Sequence, residues 1–199
     1  MAKGKRTMTY EQAEEMVRKT LSAKRFQHTV NVKNLAVRMA AHYGVSTEKA
    51  ALAAILHDSA KELPRTELLQ IIKDNAIITK GAENRPEPVW HGICAAILCK
   101  TRWGIQDEEI LSAIACHTTG KENMSKLDKI LFLADMTSAE RDYPGVEELR
   151  KLEMQDLDKA MIQALMMTIS FVNQKNAVAD PESAKALAWL QAHPVEETK

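Results

Sequence analysis

At 199 residues and 22.3 kDa the chain is long enough for one well-packed domain, and an apolar fraction of 45% supplies its core. Equal numbers of acidic and basic residues, 27 of each, leave a formal net charge of zero, which excludes bulk electrostatic adhesion to nucleic acid or an anionic membrane. No run approaches the roughly 18 apolar residues of a membrane span, and the short basic segment Met1 to Thr7 leads into no apolar stretch, so it does not read as a signal peptide.

Helical periodicity runs through nearly the whole chain, and strand-like alternation is almost absent. Thr9 with Gln12 predicts a capping box and a first helix ending near Thr20. Ser22 caps a second helix running to about Tyr43, with Gly44 as its stop. Ser46 or Thr47 caps a very apolar third helix, Ala50 to about Ala60. Pro64 suits the start of a fourth, through about Asp74. Residues 76–87 carry Gly81 and Pro86 and read as a long loop of the kind that often forms a functional lid. Further helices are expected over Val89–Arg102, Asp107–Cys116, Ser125–Glu140, Gln155–Gln174 and Pro181–Gln191, with breaks at Gly104, Gly120 and Pro144-Gly145.

The fold class predicted is therefore all-α, a single-domain helical bundle. Residues 1–8 are expected to be a flexible N-terminus, 9–175 the functional domain, and 176–199 a C-terminal helix and polar tail. Cys94, Cys99 and Cys116 are odd in number and form no C-x-x-C pair, so neither a disulfide framework nor a zinc ribbon is expected. Reduced thiols in a cytoplasmic protein follow.

Six side chains stand out from this background: His28, the doublet His57-Asp58, His91, His117 and Asp135. Five of the six are set in or at the ends of apolar helical segments, where an unpaired imidazole or carboxylate costs roughly several kcal/mol. A metal centre is an economical partner. Taken singly each has a bland explanation, a hydrogen-bonded core histidine or a helix-end carboxylate; the ordered ensemble does not. His42, beside Tyr43 at a helix end, and His193, beside Pro194 in the tail, are assigned to structure or solvent. No G-x-x-x-x-G-K-[ST] or G-x-G-x-x-G string is present, which excludes a P-loop or Rossmann nucleotide site.

The ordered series His28, His57-Asp58, Asp135 resembles the HD-domain phosphohydrolase superfamily, with His91 and His117 in the place of histidines that hold a second metal. The flanking strings Lys24-Arg-Phe-Gln-His28, His57-Asp-Ser-Ala-Lys61, His117-Thr-Thr-Gly120 and Ala134-Asp135 followed by Arg141 are similar to its YqeK family. That resemblance spans about Thr9 to Met167. It implies symmetrical hydrolysis of diadenosine tetraphosphate to two ADP at a di-iron-type centre.

Imidazole and carboxylate donors without a thiolate suit iron, with manganese or magnesium as further options. On this reading His28, His57, Asp58 and Asp135 bind one metal; Asp58, His91 and His117 bind the second, with Asp58 shared. Asp58 and Lys61 are the candidate catalytic residues. Arg25, Lys61 and Arg141 are expected at phosphate oxygens, Thr118 and Thr119 as hydroxyl donors, and Tyr143 at a nucleobase. Trp90 is a candidate for stacking or for packing, and Arg141 for a solvated helix face. Other classes stay open: an HD phosphohydrolase of another (deoxy)nucleotide, or a helical signalling module without catalysis. The expected partner is a nucleotide, not nucleic acid or membrane, and the Met-rich late helices leave room for a homodimer.

Overall fold

The computed structural model describes residues 7–75 and 81–194, and every regular element among them is helical. In chain order these are α1 (Tyr10–Thr20), α2 (Ala23–Tyr43), α3 (Thr47–Leu56), α4 (Arg65–Asp74), α5 (Trp90–Thr101), α6 (Glu108–Cys116), α7 (Lys126–Thr137), α8 (Val146–Leu152), α9 (Leu157–Gln174) and α10 (Pro181–Ala192). Two 3-10 turns, Ala82–Asn84 and Glu87–Val89, lead into α5. No described helix is long and apolar enough to cross a membrane.

Helix starts follow local chemistry. Thr9 and Gln12 close the capping box of α1 through reciprocal bonds of 3.3 and 3.1 Å, and Ser125 with Asp128 does the same for α7. Gly44 ends α2 at φ 67°, a left-handed conformation that glycine adopts without a Cβ penalty. The long helix α2 runs through the middle, packed on α3 and α7, while α5 lies on α6 and α6 on α7. Phe132, Leu131 and Leu133 of α7, Met39 of α2 and Ile55 and Leu56 of α3 fill the space between them and are almost wholly removed from water.

Three differences from the sequence expectation bear on function. The third helix stops at Leu56 rather than near Ala60, because the chain tightens into bonds from Ser59 N to the Leu56 carbonyl and from Lys61 N to the Asp58 carbonyl. Helix α7 stops at Thr137 rather than Glu140; Ser138 is extended, and the chain turns back so that Glu140 meets His28 and Arg141 meets Asp135. Helix α8 was not foreseen. It is only seven residues long, and Val146 and Leu149 are too few buried positions to give a periodic signal.

Residues 1–6 of the expected flexible N-terminus lie outside the described residues, as do 76–80 of the expected lid loop and 195–199 of the tail. Thr7 and Met8 are pinned to the turn after α5, through bonds to the carbonyls of Gly104 and Trp103 at 3.2 and 3.0 Å. The described end of the long loop is held to the last helix: Arg85 grips Asp180, the N-cap of α10, at 2.7 and 2.9 Å. Helix α10 itself buries Ala186 and Leu190 against the rest of the molecule.

Candidate metal centre

Five helices deliver the six singled-out residues to one place. His28 comes from the second turn of α2, His57-Asp58 from the end of α3, His91 from the first turn of α5, His117 from the end of α6 and Asp135 from the last turn of α7. Adjacent residues in a regular helix point about 100° apart. His57 keeps helical torsions at the end of α3, and the two side chains still meet, with His57 Nε2 3.4 Å from Asp58 Oδ2.

Asp58 sits in the middle. Its Oδ2 is 3.6 Å from His28 Nε2 and 3.4 Å from His57 Nε2, while its Oδ1 is 3.2 Å from His91 Nε2 and 3.8 Å from His117 Nε2. Asp135 Oδ1 lies 3.0 Å from His28 Nε2 and 4.0 Å from His57 Nε2. Three sets of side chains each bring their ligand atoms within 4.8 Å of one another: His28, His57 and Asp58; His57, His117 and Asp135; Asp58, His91 and His117. The donor set fits divalent cations on a second ground. The Nε2 atoms of His28 and His57 are buried and have no hydrogen-bond partner among the described residues, a costly condition that a ligated cation relieves.

The ring orientations have identifiable causes. His57 Nδ1 lies 2.7 Å from the Ala54 carbonyl and His117 Nδ1 lies 2.7 Å from the Ile114 carbonyl, each three residues back along its own helix. A carbonyl only accepts, so the proton is assigned to Nδ1 and the Nε2 lone pair faces the centre. For His28 the same office falls to the Glu140 carboxylate, which also accepts from Asn31 and Ser138 at 2.6 and 2.8 Å.

Charge is finely balanced. Burial would raise the carboxyl of Asp58, yet His57, His91 and His117 hold it well below the usual carboxylate range; Asp135 is lowered in the same way by His28, His57 and His117. Burial pushes His117 down to about 3, with His57 and His91 adding to the effect, and burial also lowers His91. Both are neutral near pH 7, the form in which imidazole binds metal. His57 is different: burial opposes its protonation, but Asp58 and Asp135 outweigh it and its pKa is raised.

Three expected cations flank the cluster. Arg25 reaches Asp58 Oδ2 at 2.9 Å, and Arg141 reaches Asp135 Oδ1 at 2.7 Å. Lys61 Nζ is 3.4 Å from both ring nitrogens of His91, and its pKa is lowered chiefly by burial, with Arg25 and Arg141 contributing. Arg141 is thus no solvated helix-face residue. Thr118 Oγ1 is buried without a hydrogen-bond partner among the described residues. Tyr143 donates to the Met136 carbonyl at 3.0 Å and lines a groove beside Arg141. Trp90 packs: it is 4% exposed and its indole N–H donates to the Arg85 carbonyl at 2.9 Å.

Thr119 is not brought to the cluster. Its hydroxyl donates to the Gly120 carbonyl and accepts from Arg85, and it lines a separate cleft between α5 and α6. Sequence reasoning also missed two residues. Glu140 lies in a turn and carries no spacing signal; only Asn31, one turn beyond His28 on α2, hints at a shared partner. Gly92 follows His91, and a Cβ there would lie 3.0 Å from His117 Cε1 and 3.1 Å from the Ile114 carbonyl oxygen. Its missing side chain lets α5 approach α6 closely enough for the two histidines to meet, with Nε2 atoms 3.2 Å apart.

A helical scaffold gathering His … His-Asp … Asp, with two further histidines, defines the HD class of proteins. The family model described as the HD domain matches residues 25–140, and the chain belongs to that family. Its relatives narrow the branch. The chain is 38% identical to the symmetrical bis(5'-nucleosyl)-tetraphosphatase of Bacillus subtilis (strain 168), over 92% of this chain and 98% of the relative. A protein of the same description from Halalkalibacterium halodurans is 39% identical, over 85% of this chain and 90% of the relative. One from Staphylococcus aureus is 34% identical, with 85% and 88% covered. A crystal structure from Clostridium acetobutylicum, of an HD superfamily hydrolase described as involved in NAD metabolism, superposes with a TM-score of 0.89 at 35% identity, covering 94% of this chain and 99% of that one.

Proposed function

We propose that this protein hydrolyses dinucleoside tetraphosphates symmetrically, converting diadenosine tetraphosphate and one water into two ADP at a centre of two divalent cations. The supporting observation is the placement of Asp58, whose two carboxylate oxygens face two separate histidine pairs, His28 with His57 and His91 with His117. The three relatives described above, each carrying the name of that activity, support the substrate.

A cation pair bound there supplies an acidified water at neutral pH and Lewis-acid stabilisation of phosphoryl oxygens. The chain's own residues do the rest. Arg25 and Arg141 each spend part of a five-donor guanidinium on an aspartate and keep further N–H groups for phosphate oxygens. Lys61, held among them, neutralises charge that builds on the phosphoryl group. The Thr118 hydroxyl, next in sequence to His117, is buried with no partner among the described residues, and we assign it as a donor to substrate. Attack at the phosphorus second from either nucleoside forms one new P–O bond and breaks the central P–O–P bridge, and both halves leave as ADP.

Iron is the ion we assign, since four imidazoles with carboxylates and no thiolate suit it; manganese fits the same donors, whereas magnesium prefers oxygen. The cytoplasm is the compartment we assign, because all three cysteines are buried and unpaired. The test is a product assay on dinucleoside polyphosphates, mononucleotides and cyclic dinucleotides, with iron, manganese or magnesium added back. ADP as the sole product from diadenosine tetraphosphate is expected. Formation of ATP with AMP, or turnover confined to mononucleotides or cyclic dinucleotides, would overturn the assignment.

A further inference from the structure

The turn after α7 sends two side chains to the metal centre: Glu140 meets the His28 ring, and Arg141 reaches Asp135 Oδ1 at 2.7 Å. Neither residue lies in a helix, so helical bonds do not fix their place. We propose that Arg150, on α8, is the positioning residue that fixes it, an inference that rests on the two-cation reading above. One guanidinium bonds three backbone carbonyls of this single turn. Its Nε donates to Thr137 at 2.9 Å, and its Nη2 donates to Ser138 and Arg141 at 2.9 and 2.7 Å. The Ser138 carbonyl also accepts the Arg141 N–H at 2.8 Å, which closes the turn.

A helix leaves its last four carbonyls without partners of its own. At the end of α7, three successive ones are taken by side chains from farther along the chain. Asp135 accepts from Arg141 Nε at 2.9 Å, Met136 from the Tyr143 hydroxyl at 3.0 Å and Thr137 from Arg150 Nε at 2.9 Å. The exit of the chain from α7, and with it the aim of Glu140 and Arg141, therefore depends on these donors. Arg150 goes further, because it spans the turn from Thr137 to Arg141. A planar fork of N–H groups fixes the carbonyls relative to one another, which a point ammonium on a flexible stem does not. Its charge also lies at the negative end of α7. Arg150 is anchored in turn. Leu149 beside it is fully buried, and the Glu147 carboxylate accepts from its Nη1. At the end of α8 the Glu153 carbonyl accepts from the hydroxyl of Tyr43, the last residue of α2, at 2.6 Å. The contacts form a closed loop: α2 holds α8, α8 holds the turn, and Glu140 of the turn orients His28 on α2.

The experiment compares the full chain with Arg150→Lys, which keeps a cation but not the fork, and with Arg150→Ala, which keeps neither. In metal-free protein, hydrogen exchange at the Arg141 amide is expected to quicken about tenfold in both variants, as for loss of roughly one hydrogen bond. The Phe132 and Leu133 amides inside α7 should keep their wild-type rates. Manganese affinity, measured by competition with a chelator, is expected to fall about tenfold. Added to Glu140→Gln, Arg150→Ala should cost no more than about a further twofold, because both changes act through the same His28 contact. Should Arg150→Ala fail to fold, the same cycle is run with Arg150→Lys. Wild-type manganese affinity in Arg150→Lys, wild-type exchange at Arg141, or losses that multiply in the double variant would overturn the proposal. If the wild type bound no manganese, the two-cation reading would fail, and the exchange rates would still decide whether Arg150 holds the turn.

Discussion

Glu140 takes the Nδ1 hydrogen of His28, and that contact decides which imidazole nitrogen faces Asp135 across 3.0 Å. Burial alone would raise the Glu140 carboxyl, but bonds from His28 and Asn31 bring it down to about 2, so it is an acceptor throughout the working pH range. Carboxylates in this position raise ligand basicity and fix the ring, and their loss typically costs about 10–100-fold in metal affinity. Glu140→Gln should weaken binding at the His28 side by that factor, measured by competition with a chelator, and leave the helical circular dichroism unchanged. Wild-type affinity in this variant would show that the contact does not tune the site.

Gly92 sets the distance between α5 and α6. In Gly92→Ala the new methyl meets the His117 ring at 3.0 Å and the Ile114 carbonyl at 3.1 Å, closer than ordinary contact, so His117 must shift. The expected result is selective loss of the ion at Asp58, His91 and His117, with a stability cost of about 1–3 kcal/mol for overpacking. Elemental analysis of dialysed protein should give one ion per chain where the wild type gives two. Two retained ions with unchanged melting would contradict this.

On the proposed mechanism Lys61 contributes to turnover rather than to holding the fold. Its ammonium is buried among Arg25 and Arg141, and burial is the main reason its pKa is lowered. Lys61→Met should reduce kcat roughly 10²–10³-fold, as for loss of a donor aimed at developing charge. Metal content should hold, and thermal stability should stay the same or rise, since a crowded buried cation is removed. Loss of metal together with stability would instead mark Lys61 as structural.

Glu153 gives a pH signature separate from the metal centre. It is fully buried, accepts from Thr137 at 2.7 Å through one oxygen and leaves the other unpartnered among the described residues. Burial pushes its carboxyl up from 4.5 to about 7, against the opposing pull of Thr137, Arg38 and Arg150. The folded state therefore holds this proton more tightly than the unfolded chain. That contribution to stability is complete below about pH 4.5 and is lost as pH rises through about 7, up to about 3 kcal/mol for the full shift. Urea unfolding of wild type and Glu153→Gln at pH 5 and pH 8 should show the variant gaining on the wild type at the higher pH. A constant difference would place the ordinary pKa on Glu153.

Much of this molecule could be read from its sequence because the signals were local. The Thr9–Gln12 and Ser125 caps, the Gly44 stop and the apolar stripes of α2 and α7 are set within a few residues. The six residues that cluster around Asp58 stood out for another reason: imidazoles and carboxylates amid apolar helix are costly to leave unpaired. What escaped depends on chain reversal. Glu140 meets His28 only because the chain after Thr137 folds back, and no periodicity encodes that. Thr119 was expected at the substrate for its place beside His117, but the turn ending α6 points its hydroxyl toward Arg85 and the last helix. Gly92 is a residue whose role is the side chain it lacks, which shows only when α6 is placed against α5.

The central claim is that Asp58 is shared between two ions, and metal counting on Asp58→Ala tests it most directly. With folding verified by circular dichroism, the account predicts loss of both ions and of turnover in Asp58→Ala, whereas His117→Ala keeps one ion. Asp58→Ala carrying the full metal content with wild-type activity would contradict it.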